Sequence, residues 1–345
     1  MPELWILQGP INHRSRVMNC RDVPSRECVG CQKNEVALIF PGQGSQFPGM
    51  SSDLTEGTDI TRNILGRADE CLGYPLSRIM GGEPPGELDR TCYTQPAIFV
   101  HSVAIYEELR SRCEMRPFMS AGHSLGEYSA LYAAGILGFE DALGIIRERA
   151  LAMDGAQPHG TCGMAAVLGL TRERCEDLIR DARGPEVLCL ANLNAPDQIV
   201  VSGHLPAIHR VMEAMKKEKR ARAVLLNVSS AFHTPLMEPA LTKLRMIVDS
   251  SPVNEAAFPV VANVDARPYP SQSEAIRQRL VSQVVNPVLW EDSVRYMVSQ
   301  GATTFVELGP GKVLTGLVRR IDKTAKTTNL FSVSACRLFA EEWQS

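Results

Sequence analysis

From residue 35 onward, short apolar runs alternate with longer stretches whose apolar residues recur at helical spacing. "EVALIF" (35–40) is an unbroken β-type run that ends in the glycine-rich loop "PGQGSQFPGM". "QPAIFVHSVAIYEELRSRC" (95–113) and "FEDALGIIRERALAM" (139–153) carry the period of amphipathic helices. Between them, "PFMSA" (117–121) predicts a short buried strand, followed by a turn, a helix over 127–134 and a stop at Gly135.

The rhythm changes over 162–230. "GMAAVLGL", "VLCLANLNA", "QIVVSG" and "RAVLLNVS" read as strands, and "RERCEDLIRDAR" and "LPAIHRVMEAMKKEKR" as helices. Their order is βαββαβ, the split motif of a ferredoxin-like fold. Alternation then returns with "FPVVANV" (258–264) and "TTFVELGPGK" (303–312). The expected fold is α/β: a doubly wound, α/β-hydrolase-like body over 35–161 and 231–325, with a ferredoxin-like subdomain inserted at 162–230. Residues 1–34 read as an irregular extension or leader remnant, and 326–345 as a C-terminal tail. A cleft between two such parts is a usual place for a ligand.

Composition narrows the classes. A chain of 345 residues can bury a large core, and its net charge of −3 gives no broad basic surface for nucleic acid. No apolar run approaches the roughly 18 residues that a membrane-crossing helix needs. The ten cysteines are scattered, which suits reduced thiols in an intracellular compartment. Cys28 and Cys31 form a C-x-x-C near Cys20 and His13, but no second pair completes a zinc site, so no metal is expected. The leader contains Glu3, Asp22 and Glu27 and few serines, a weak targeting signal.

Candidate chemistry centres on "GHSLGEYSALYAAG" (122–135), where Gly122, Ser124 and Gly126 form G-x-S-x-G. That pattern marks a sharp strand-to-helix turn with an exposed hydroxyl, and the N–H after the serine, here Leu125, is placed to receive an oxyanion. A serine hydroxyl is a poor nucleophile without a base, and the pattern alone is common by chance. The loop "PGQGSQ" lacks the Gly-Lys-Ser/Thr ending of a phosphate-binding loop.

Seven separated stretches, in order, carry a resemblance: "FPGQGSQFPGM", "GHSLGEYSAL", "RERALAM", "NAPDQIVVSG", "AFHTPLM", "NPVLWEDSV" and "ELGPGKVLTGL". Together they resemble the malonyl-CoA:acyl carrier protein transacylases over about residues 35–320, and the inserted ferredoxin-like domain is a family feature too. The resemblance implies transfer of malonyl from malonyl-CoA to the phosphopantetheine thiol of an acidic acyl carrier protein through a malonyl ester on Ser124. It implies no cofactor of the enzyme's own and a monomer. His233 in "AFHTPLM" matches the family base, whereas His101, His204 and His209 read as core or surface residues. A main-chain carbonyl near Gln283, with Asn286 close by, would orient the imidazole, and the Gln43 N–H would be the second oxyanion donor. Arg149, 25 residues after Ser124, matches the arginine that holds the malonyl carboxylate, and Arg147 suits a surface pair with Glu148 or Asp141. Leu125 and Phe232 resemble malonyl-selective members, and Ala150 departs from a frequent glycine.

A serine thioesterase or hydrolase, a polyketide acyltransferase and a silent carrier-binding module are the alternatives. A free-standing chain favours dissociated fatty-acid synthesis, and the leader favours a mitochondrion, with plastid or bacterial cytoplasm as alternatives. The basic run "MKKEKRAR" (215–222) is either a solvated face or, through Lys217, Arg220 and Arg222, a docking patch for the carrier protein.

Overall fold

The structure is a computed structural model and describes residues 35–218 and 220–344. The expected leader, its Cys/His group and Lys219 of the basic run lie outside the described residues. In chain order the strands are β1 (Val36–Phe40), β2 (Met119–Gly122), β3 (Cys162–Leu168), β4 (Leu188–Ala195), β5 (Gln198–His204), β6 (Arg222–Leu225), β7 (Val260–Val261), β8 (Thr304–Leu308) and β9 (Lys326–Leu330).

Five strands form a parallel sheet in the order β7-β2-β1-β8-β9. The chain fills it outward in both directions from β1, which is the doubly wound arrangement expected. All five residues of β1 are buried, as a strand covered on both faces requires. Val36, Leu38 and Phe40 join one apolar core, and Ala37 and Ile39 join the core on the other face. The 22-residue helix Thr91–Arg112 buries residues around its whole circumference, so it runs through the interior. Phe99 on it stacks on Phe139 of the helix Phe139–Asp154, with ring centroids 5.7 Å apart.

The inserted subdomain is an antiparallel sheet, ordered β4-β5-β3-β6. Period-two alternation gives each face its own job. Ala165 and Val167 pack with Ile208, Val211 and Met215 of the helix Leu205–Met215, while Met164 turns the other way and joins the core of the body. One wall of the site is therefore the underside of this sheet.

Three expectations need correction. Residues 326–345 are no tail: β9 extends the body sheet beside β8, and the helix Val333–Gln344 seats Cys336 against the long helix, its thiol 3.6 Å from the Ile105 carbonyl. Its apolar residues Val333, Cys336, Ala340 and Trp343 recur at helical spacing, a signal that the tail reading passes over. "FPVVANV" contributes only Val260 and Val261 to the sheet, because the Ala262 N–H turns back to the Arg267 carbonyl. The helix that begins at Leu205 ends at Met215, where its buried stripe of Ala207, Ile208, Val211 and Met215 runs out.

The register that pairs Phe40 with Gly122 brings the ends of β1 and β2 together. A Cβ on Gly126 would lie 2.1 Å from the Phe40 carbonyl oxygen, and one on Gly122 would lie 1.9 Å from Gly126 backbone. Neither clash can be relieved by a rotamer. Gly126→Ala is therefore expected to destabilise by more than the ~1–3 kcal/mol of ordinary overpacking. Gly144, in the helix Phe139–Asp154 with open space around it, is the control. Gly144→Ala is expected to stabilise by ~0.5–1 kcal/mol, with denaturant titration measuring both.

Candidate active site

At the end of β2 the backbone turns sharply, and Ser124 takes φ 50°, a left-handed conformation that a non-glycine residue adopts at a cost. Asn263 holds the turn from both sides. Its Oδ1 accepts the Ser124 N–H at 2.7 Å, and its Nδ2 donates to the Gly122 carbonyl at 2.7 Å. The loop after β1 lies against the same turn, since a Cβ on Gly42 would sit 2.3 Å from the His123 carbonyl oxygen. Gln43 of that loop and Leu125 both line the cavity above Ser124. His123 reaches across to the subdomain, with Nε2 2.7 Å from Asn194 Oδ1.

His233 arrives from the segment that returns from the subdomain, also with positive φ (61°), its own N–H bonded to the Val284 carbonyl at 3.1 Å. Its Nε2 lies 2.8 Å from Ser124 Oγ. Its Nδ1 faces two carbonyl oxygens, Gln283 at 2.9 Å and Asn286 at 3.2 Å. Carbonyls only accept, so Nδ1 carries the proton and Nε2 is left with a lone pair toward the serine. Burial, with the nearby Arg149 cation adding to it, pushes the imidazole down to about 3. At neutral pH His233 is a neutral acceptor. The orienting group is main-chain carbonyl rather than a carboxylate.

Arg149 rises from the helix Phe139–Asp154 and is 1% exposed. It donates from Nη1 to Gln95 Oε1 at 2.7 Å and from Nη2 to Gln283 Oε1 at 2.8 Å and Ser124 Oγ at 3.0 Å. The Tyr128 ring lies 5.6 Å beneath the guanidinium carbon. Burial lowers its pKa, yet a guanidinium stays charged in a protein. No carboxylate pairs with it among the described residues, and its Nε–H has no partner. Arg147, by contrast, sits at the surface with Glu148 at 3.2 Å.

Gln283 joins these parts. Besides the backbone bond to His233, its side-chain Nε2 donates to the Ser124 carbonyl at 2.9 Å and to the Glu127 carboxylate. Glu127 is buried too, and burial pushes its carboxyl up to about 7 against the opposing pull of bonds from Tyr269, Gln283 and Asn263.

Over Ser124 lies a cavity of about 90 Å³, bounded by Met153 and Phe232 of the body and by Met164 and Leu226 from the subdomain side. It has room for a small acyl group, and its lining is largely apolar.

The structure thus brings together Ser124, His233, Arg149, Gln283, Asn286, Gln43 and Leu125. It does not bring the basic run to them. Lys217 and Arg220 are exposed in the connection before β6, and Arg222 opens that strand opposite Leu168. The strand end that meets the cavity is the other one, where the Leu226 N–H bonds Met164. Four residues of strand put Arg222 about 13 Å from Leu226. The apolar stripe that holds the helix ends at Met215, so the charges fall beyond it.

Gln95, Glu127, Asn263 and Tyr269 were not anticipated. A lone amide or acid inside an apolar run is their only signal: Gln95 in "TQPAIFV" and Glu127 in "LGEYSALYAAG".

Residues 37–335 match the family described as acyl transferase domain. The malonyl CoA-acyl carrier protein transacylase of Escherichia coli (strain K12) is 40% identical over 301 residues, covering 87% of this chain and 97% of that protein. The solved transacylase of the same description from Coxiella burnetii superposes with a TM-score of 0.86 at 35% identity, over 89% of this chain and 97% of that one. A malonyl-transacylase solved in complex with its type II PKS acyl-carrier protein gives 0.86 at 36%, over 89% and 99%.

Nitrogen-15 NMR of the His233 imidazole checks the electrostatics. The neutral, Nδ1-protonated tautomer is expected throughout about pH 8 to about pH 5, whereas a solvated histidine titrates near 6.5. The His233 contribution to folding stability should be constant above about pH 6.5 and decline as the pH drops from there toward about 3, because the unfolded chain takes up the proton that the buried ring refuses.

Proposed function

The chain belongs to the acyl transferase family, within it to the malonyl CoA-acyl carrier protein transacylases, and we propose that Ser124 carries the malonyl group between the two thiols. The protein transfers malonyl from malonyl-CoA to acyl carrier protein and so supplies fatty-acid synthesis. The observation that supports these residue roles best is one hydroxyl held 2.8 Å from a neutral imidazole and 3.0 Å from a buried guanidinium.

In the first half, His233 Nε2 takes the Ser124 proton as Oγ attacks the thioester carbonyl. The oxyanion receives the N–H groups of Leu125 and Gln43. Collapse expels the thiolate of coenzyme A, which takes the proton back from His233. In the second half, the phosphopantetheine thiol gives its proton to the same nitrogen and attacks the ester, and Ser124 leaves reprotonated. Arg149 releases Ser124 Oγ and takes the malonyl carboxylate in a two-point bond. The apolar lining from Met153, Met164, Leu226 and Phe232 disfavours water as the second nucleophile.

The carrier protein docks by charge at longer range. Lys217, Arg220 and Arg222 lie about 13 Å or more from the cavity along β6, a span that a small domain covers. Positive charge there raises the encounter rate with an acidic partner more than it tightens the complex.

Mass spectrometry of enzyme mixed with malonyl-CoA is expected to find the adduct on Ser124; an adduct on a cysteine, or an active Ser124→Ala variant, contradicts the mechanism. Arg149→Ala is expected to lose malonyl transfer by about 100-fold or more, since a desolvated carboxylate without its partner costs ~3–5 kcal/mol, with acetyl transfer far less affected. Reversing Lys217, Arg220 and Arg222 to glutamate is expected to slow transfer to carrier protein at low salt and to leave formation of the Ser124 ester at its normal rate. Unchanged transfer would make the run a solvated surface.

A further inference from the structure

We infer that Glu127 is a positioning residue: it fixes which way round the Gln283 side-chain amide sits, and through that amide it holds the Arg149 fork in the pose that takes a substrate carboxylate. The inference deepens, and rests on, the roles given above to Arg149 and Ser124.

Gln283 is fully buried, so each of its polar atoms needs a partner inside the protein. The Arg149 Nη2 at 2.8 Å can only donate, and it must therefore meet Oε1. The Ser124 carbonyl and the Glu127 carboxylate only accept, and they must meet Nε2. One orientation of the amide satisfies all three. The reversed one sets N–H against N–H at Arg149 and oxygen against oxygen at the other two.

Glu127 supplies the acceptor that makes this choice firm. Three donors converge on its carboxylate: the Tyr269 hydroxyl, the Asn263 N–H at 3.3 Å and Gln283 Nε2. In its ionised form, which the three converging donors favour against the burial that raises its pKa to about 7, Glu127 has no proton to offer and cannot favour the reversed amide. Its placement also serves specificity. Glu127 and Arg149 are both buried, but the amide stands between them, and no direct ion pair occupies the guanidinium. The negative charge remains close enough to stabilise the cation, while the fork is left for a carboxylate on the substrate. Neither the Glu127 carboxylate nor the Gln283 side chain touches the reacting Ser124 Oγ; of the three, Arg149 alone does.

Glu127→Gln keeps the shape and places an NH₂ group among three donors, which allows the Gln283 amide to turn and loosens Arg149. The test compares transfer from malonyl-CoA and from acetyl-CoA, which lacks the carboxylate. Glu127→Gln is expected to lower kcat/KM for malonyl-CoA by about 10- to 100-fold, the range of a lost charge-assisted hydrogen bond, mainly through KM. Acetyl transfer is expected to change by less than about threefold, within the weight of a neutral hydrogen bond. Gln283→Leu keeps the backbone carbonyl that orients His233 but also removes the side-chain bond to the Ser124 carbonyl, so it is expected to slow both transfers and to lower malonyl transfer by about 10-fold or more beyond the acetyl loss. Adding Glu127→Gln to that variant is expected to cost nothing further, because the two act as one unit.

Equal losses for both acyl groups, or losses that add in the double variant, overturn the inference. If Glu127→Gln does not fold, Gln283→Leu alone decides by the same malonyl-to-acetyl comparison. The native enzyme is run alongside: absence of the malonyl ester on its Ser124 defeats the functional reading itself, whereas its presence with unselective variants defeats only the role of Glu127.

Discussion

A guanidinium buried to 1% exposure has no carboxylate partner among the described residues, and the site is arranged around that cation. An unpaired buried charge costs several kcal/mol, and neutral acceptors recover only part of it. Gln95 and Gln283 each give an amide oxygen, Tyr128 gives the face of its ring, and Ser124 gives a hydroxyl. The anion that would complete the set arrives with the substrate. This turns desolvation into selectivity, because an acetyl group leaves the cation unpaired and a malonyl group does not. The same cation, added to burial, keeps His233 unprotonated and so able to accept the serine proton.

Precision at Ser124 comes from backbone rather than from side-chain packing. Gly122, Gly126 and Gly42 allow three stretches of main chain to approach closer than any Cβ would permit. Asn263 then ties the strained turn at its first and third residues, and Gln283 ties the Ser124 carbonyl. The subdomain closes the cavity with the face of its sheet that its own helices leave uncovered, through Met164 on β3 and Leu226 beyond β6. Insertion between the nucleophile turn and the histidine segment therefore has a mechanical consequence: the chain must cross the subdomain before it can deliver His233.

The fold was legible because its signals are periodic. β1 is an unbroken apolar run, the inserted domain repeats its strand and helix periods cleanly, and G-x-S-x-G is a steric requirement written in residue types. Ser124 and the Leu125 N–H follow from that turn, whereas His233, Arg149, Gln43 and Gln283 came from resemblance, since they are spread from residue 43 to residue 283 with no local pattern joining them. For Gln283 that reading reached the backbone carbonyl and stopped. Its side chain, with Gln95, Glu127, Asn263 and Tyr269, acts through hydrogen-bond direction, which has no period. The last strand was hidden for a related reason: β9 reads "KTTNL", and Leu330 is its one buried residue, so no apolar run marks it. The helix after it does repeat apolar residues at helical spacing, Val333, Cys336, Ala340 and Trp343, and was open to reading.

The central claim is that a malonyl group rests on Ser124 and moves on to a thiol rather than to water. Enzyme charged with radiolabelled malonyl-CoA, freed of coenzyme A and then mixed with acyl carrier protein, tests it in one step. The account predicts that the label leaves the protein stoichiometrically for the phosphopantetheine thiol, with little free malonate. Release as free malonate at the same rate with or without carrier protein would contradict it and make the enzyme a hydrolase.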